Sequence, residues 1–178
     1  QSAPTFTMNV PAVSTVNPAS TSALAPGTIT LTGTNFPTAG TPVQVRLLAT
    51  APAGAAPFAG GTQSQIVVPA TVNPANTIVF TPPVCCITTN TTISTNLTFQ
   101  NANCEIAGLS FTLNAPTVTT VAPATEAELA PATAITITGT NLPVAGTPVQ
   151  VTFSGGGNVW NGGTTSQTTV AGSVTTSG

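Results

Sequence analysis

Two near copies of one stretch, set roughly a hundred residues apart, constrain this chain more than any other feature. Residues 6–18 read Phe-Thr-Met-Asn-Val-Pro-Ala-Val-Ser-Thr-Val-Asn-Pro, and residues 111–123 read Phe-Thr-Leu-Asn-Ala-Pro-Thr-Val-Thr-Thr-Val-Ala-Pro. The second copy spans the join between two modules. By that alignment the first copy opens with the last strand of a module that does not precede it. Further matches define the modules: LTGTNFPTAGTPVQVRL (31–47) against ITGTNLPVAGTPVQVTF (137–153), and GGTQSQIVV (60–68) against GGTTSQTTV (162–170). Nothing in the second module matches residues 77–114. We therefore expect an N-terminal donor-like strand (1–10), a first domain (11–115) and a second, truncated domain (116–178). A spare strand at one end and a gap at the other suit head-to-tail joining, or a piece of a longer array.

Period-two alternation of apolar and polar residues sets the local structure. It runs through Ile29 and Leu31; Val43, Val45 and Leu47; Leu97 and Phe99; and Leu109, Phe111 and Leu113. The second module repeats it at Ile135 and Ile137, and at Val149, Val151 and Phe153. Each segment is predicted to turn these residues into a core and leave Thr, Gln and Ser outside. Thr and Val favour strands, and Pro and Gly break the chain at the spacing of short sandwich strands. The one helix-like stretch, Ala124–Leu129, is confined to a turn or two between Pro123 and Pro131. The fold class is all-β.

The chain holds one Lys or Arg (Arg46), three acidic residues (Glu105, Glu126 and Glu128) and no His, Asp, Lys or Tyr. Ordinary domains are about a quarter charged. The shortage of charge comes with ample Val, Ile, Leu and Ala, which excludes disorder of the charge-rich kind. It also removes most of the self-repulsion that keeps proteins apart. Nucleic acid is excluded as a partner, because phosphate neutralisation needs clustered Lys or Arg. Most nucleophile–base pairs cannot be assembled from this residue set, so no enzyme, cofactor or metal site is expected. Glu126 and Glu128 read as a solvated turn. No apolar run is long enough to span a bilayer.

The pattern P-x-V-x-x-V-x-P at Pro11–Pro18 and Pro116–Pro123 leads into T-I-T-L-T-G-T-N-F, then T-P-V-Q-V. This resembles the IPT/TIG immunoglobulin-like domain, whose "GTNF" turn stands here as Gly33-Thr34-Asn35-Phe36 and Gly139-Thr140-Asn141-Leu142. The first half of each module carries the resemblance. It implies tandem immunoglobulin-like β-sandwiches used for adhesion or spacing in extracellular proteins, and it implies no catalytic residues.

Several residues stand out beyond the repeat. Of the three cysteines, Cys85 or Cys86 can pair with Cys104, closing a loop of about twenty residues worth about 3 kcal/mol. The cysteine left over forms an intermolecular bridge or a buried free thiol. Asn90 and Asn96 head glycosylation sequons, which with the non-Met start Gln1-Ser2-Ala3-Pro4 fit export. Trp160, in a Gly-rich loop, suits packing at a sandwich end or subunit contact, or stacking on a sugar. The leading expectation is a secreted, cell-surface structural subunit of a filament or surface layer. Phe6, Met8 and Val10 would be the donated strand, and Ile135, Ile137, Val149, Val151 and Phe153 the acceptor groove. Its partners would be copies of itself. The alternatives are a fragment of a long adhesin or cell-wall stalk, and a carbohydrate-binding module with glycan partners.

Overall fold

Strand follows strand along the chain, as the alternation requires. The computed structural model describes residues 3–100, 105–125, 134–157 and 164–175. Among them the regular elements are all strands, and no helix is long and apolar enough to cross a membrane. The helix-like stretch expected at Ala124–Leu129 lies mostly outside the described residues. The chain divides into two units, Gln1–Pro116 and Thr117–Gly178.

Unit 1 contains β1 (Ala12–Asn17), β2 (Ser20–Ser22), β3 (Ile29–Thr34), β4 (Pro42–Ala51), β5 (Gln65–Asn73), β6 (Thr77–Phe80), β7 (Thr91–Phe99) and β8 (Ile106–Asn114). They form one eight-stranded sheet in the order β1-β3-β6-β5-β4-β7-β8-β2. The ladder is continuous because β5 has partners on both sides. Its length from Gln65 to Thr71 pairs with β4, and its end, Val72 and Asn73, pairs with β6. Every pairing is antiparallel except β2 with β8, which is parallel. Consecutive strands β1 and β2 therefore sit at opposite ends of the sheet.

The sheet folds over on itself. The Phe80 ring of β6 and the Phe111 ring of β8 lie 6.2 Å apart, although β5, β4 and β7 separate their strands. Four strand spacings in a flat sheet would put them about 19 Å apart. The enclosed core takes Ile29 and Leu31 from β3, Val43, Val45 and Leu47 from β4, and Ile78 from β6. To these it adds Ile93, Leu97 and Phe99 from β7, and Phe111 and Leu113 from β8. In unit 1 the alternating positions read from the sequence are thus the buried ones, with one correction, whereas in unit 2 Ile135 is exposed and Ile137, Val149, Val151 and Phe153 are only half-buried. The correction in unit 1 is Leu109, which is exposed. The β7–β8 register shifts between Ser94 and Asn96, so two residues of β8 face one of β7 and the side-chain alternation flips. The buried Thr95 hydroxyl donates to the Leu109 carbonyl at 2.8 Å.

Unit 2 contains β9 (Thr117–Ala122), β10 (Thr136–Thr140), β11 (Pro148–Ser154) and β12 (Gln167–Ser173). β9 pairs with β10, and β11 with β12, as two antiparallel two-stranded sheets. Local geometry repeats that of unit 1 in detail. The β1–β3 ladder has a bulge between Val13 and Thr15, and the β9–β10 ladder has one at the matching place. The extra residue caps its own bulge: Ser14 Oγ donates to the Thr32 carbonyl at 3.0 Å, and Thr119 Oγ1 to the Thr138 carbonyl at 3.1 Å. Asn35 and Asn141 both hold left-handed backbone, at φ 57° and 55°. A Cβ on Gly33 would clash with the Ala12 carbonyl oxygen, and one on Gly139 with the Thr117 carbonyl oxygen. Strands β9, β10, β11 and β12 are the counterparts of β1, β3, β4 and β5. Among the described residues of unit 2, β6, β7 and β8 have no counterpart.

Candidate assembly surface

The two copies of the repeated segment have opposite fates. Phe111 and Leu113 lie on β8, held between β7 and β2, and Ala115 follows; they are 2 %, 0 % and 4 % exposed. Their counterparts Phe6, Met8 and Val10 are 88 %, 81 % and 74 % exposed. Residues 3–10 form no strand, and each is exposed. A near copy of one segment is a sheet strand in one place and an exposed apolar row in the other, with Met8 for Leu113 and Val10 for Ala115.

The base of the exposed segment is anchored. Asn35 Nδ2 donates to the Val10 carbonyl at 3.1 Å. Asn accepts left-handed backbone more readily than most residues do, so the turn after β3 can present its amide to the chain entering β1. Asn35 is a positioning residue that sequence reading placed only in a turn motif. The left-handed preference of Asn was the available signal.

On the other side, the expected groove residues lie on β10 and β11 or just before them. In unit 1 their counterparts Ile29, Leu31, Val43, Val45 and Leu47 are buried. In unit 2, Ile135 is 38 % exposed, and Ile137, Val149, Val151 and Phe153 are half-buried. On one strand, Val149, Val151 and Phe153 face the same side, with Gln150 and Thr152 on the other. β11 pairs with β12 along one edge. Its counterpart β4 pairs with β5 along that edge and with β7 along the other.

The remaining candidates scatter. Cys85 and Cys86 are free thiols, the first buried and the second exposed. Burial, reinforced by the neighbouring Cys86 charge, pushes the Cys85 thiol up to about 11. Cys104 lies outside the described residues, as do Trp160, Glu126 and Glu128. Asn90 is exposed before β7, and its Oδ1 accepts the Ala115 N–H at 2.9 Å. Asn96 sits within β7, and its Nδ2, the atom a glycan would take, donates to Glu105 Oε2 at 3.0 Å. Glu105 also receives Arg46 Nη2, whose Nη1 reaches Gln65. This cluster is partly exposed and joins residues of β4, β5 and β7 to the segment before β8. Its members are too far apart in the chain for local patterning to have paired them.

Among the described residues the arrangement is all-β, with an exposed apolar row on the leading segment and a half-buried one on β11. No protein-family model matches the chain, and a search of curated proteins finds no relative.

Proposed function

We propose that this protein is a structural subunit of an extracellular filament or surface layer, built from tandem immunoglobulin-like modules of the IPT/TIG type. One copy's residues 6–10 complete the second module of the next copy. The observation that carries this reading is the contrast between buried Phe111 and Leu113 and exposed Phe6 and Met8. A near copy of residues 6–10 fills a sheet position in unit 1, at Phe111–Ala115. Burial of each large apolar side chain contributes about 1.5–3 kcal/mol, and each new backbone hydrogen bond about 1 kcal/mol. Donor and acceptor are different surfaces, so the contact is heterologous and propagates into a fibre unless the rotation closes a ring. A net formal charge of −2 over 178 residues offers little repulsion between copies.

A second reading draws on the same repeat. In a long stalk or adhesin, further modules of one chain would supply and cover these surfaces. Additional TGTN–TPVQV copies in the gene would identify it.

Electron microscopy of the purified chain tests the proposal. Filaments should form, and deletion of residues 3–10 should abolish them. Monodisperse monomers from the full chain at high concentration would refute it.

A further inference from the structure

We infer that the donated segment adds to the outer edge of β12, an edge that the module closes with a proline in unit 1 and leaves open in unit 2. The inference rests on the strand-donation reading and names the seat. Along an antiparallel strand, successive residues turn their N–H and C=O groups to opposite edges. One bond fixes the parity in unit 1: the Ala49 N–H donates to the Ser64 carbonyl at 2.8 Å. Val43, Val45 and Leu47 therefore bond towards β5, and their partners Ala70, Val68 and Ile66 bond back. Gln65, Val67, Pro69 and Thr71 turn their backbone groups to the other edge. No strand pairs with β5 there, since β6 meets it only at Val72 and Asn73. The open edge thus belongs to the module itself and is present in unit 1, where β6, β7 and β8 follow it. Pro69 stands in its middle and has no N–H to offer, a common way of keeping other chains off a sheet edge.

Unit 2 repeats the geometry and drops the block. The Gly155 N–H donates to the Ser166 carbonyl at 2.8 Å, and Val151 lies opposite Val170. By the same parity Val170 bonds towards β11, while Thr169 and Ala171 present N–H and C=O groups outward. Ala171 holds the place of Pro69: it lies opposite Gln150, as Pro69 lies opposite Gln44. Among the described residues no strand pairs with this edge of β12. The occupant is the leading segment of a second copy, whose apolar row is exposed and whose near copy is the strand β8 of unit 1. Residues directly opposite each other share a face of the sheet. Phe6, Met8 and Val10 then lie on the side of Val170 and Val151. Thr7 and Asn9 lie on the outer side with Thr169 and Ala171. A slip of one residue would turn the apolar row outward. The backbone bonds of such an added strand hold it in place whatever the side chains, so the Ala171 N–H decides which unit receives it.

Moving the block tests the seat. Ala171→Pro removes one outward N–H and no bond to β11, and unit 1 already carries proline at this place in an intact strand. The variant should keep the melting curve of the dilute wild-type chain. By sedimentation, the concentration it needs for assembly should rise about tenfold or more. A second measurement needs no variant: hydrogen exchange of the full chain, quenched and read residue by residue. In the monomer the Thr169 and Ala171 amides should exchange freely while Val170 is protected, and in filaments all three should be protected. Filaments whose Thr169 and Ala171 amides exchange as in the monomer overturn the β12 seat. So does a folded Ala171→Pro chain that assembles like the wild type. Either result leaves strand donation intact if deletion of residues 3–10 still abolishes filaments. A wild-type chain that forms no filaments overturns both.

Discussion

Truncating the same repeat position twice separates folding from assembly. Phe111 is 2 % exposed and its ring packs 6.2 Å from that of Phe80. Phe111→Ala removes a core ring and leaves a cavity, at a cost of about 3–5 kcal/mol. At about 4 °C per kcal/mol for a domain of roughly a hundred residues, unit 1 should melt about 12–20 °C lower. Phe6→Ala removes a ring already in water, so the dilute monomer should change by less than about 0.5 kcal/mol. On the strand-donation proposal its effect falls on assembly. Loss of about 1.5–3 kcal/mol of burial at the joint raises the concentration needed for assembly roughly 10- to 100-fold. Circular-dichroism melts of dilute chain give the first pair of numbers, and sedimentation across a concentration series gives the second. If Phe6→Ala lowers the melting temperature of dilute monomer as much as Phe111→Ala does, Phe6 packs within its own chain and the reasoning fails. An unchanged assembly concentration for Phe6→Ala would refute the donor role.

Four further outcomes can be checked. Gly33→Ala and Gly139→Ala drive a methyl group into the Ala12 and Thr117 carbonyls, so each should cost about 1–3 kcal/mol, seen as a lower melting temperature and faster hydrogen exchange in β1 or β9. Asn35→Gly keeps the left-handed backbone but removes the tether to Val10, and should destabilise by about 1 kcal/mol; Asn35→Ala adds backbone strain and should lose about 1–2 kcal/mol more, both measured by urea unfolding. Cys86 should be alkylated in the native protein while Cys85 is protected. Because folding raises the Cys85 thiol from 9.0 to about 11, the unfolded chain releases that proton first. Its stabilising contribution is whole below pH 9 and is lost as pH rises towards 11. Cys85→Ala should flatten that part of the stability–pH curve.

Much of unit 1 could be read from alternation. Ile29 and Leu31, and Val43, Val45 and Leu47, are inward on strands whose sequence required it. The repeat likewise carried over to matching bulges and turns at Ser14 and Thr119, and at Asn35 and Asn141. Sheet order was not legible, because β1 with β3 and β2 with β8 are chosen by packing between distant segments. Leu109 escaped the pattern for a related reason: the bulge that turns it outward depends on Thr95 of another strand. The fate of Phe6, Met8 and Val10 was legible only by comparison with Phe111, Leu113 and Ala115. Their own alternation says strand, and only the absence of a neighbouring ladder leaves them uncovered. The Arg46–Glu105–Asn96 cluster carries no local signature at all.

The hydrogen bond from Asn35 to the Val10 carbonyl has a mechanical meaning. Tension arriving through the leading segment meets this link first and then enters β1. A pull directed along that strand loads its bonds to β3 side by side, in shear, so that they share the load instead of parting one after another. β3 passes the load on to β6 and so into the body of the sheet. In the proposed filament, a subunit anchored in this manner would resist stretching better than peeling.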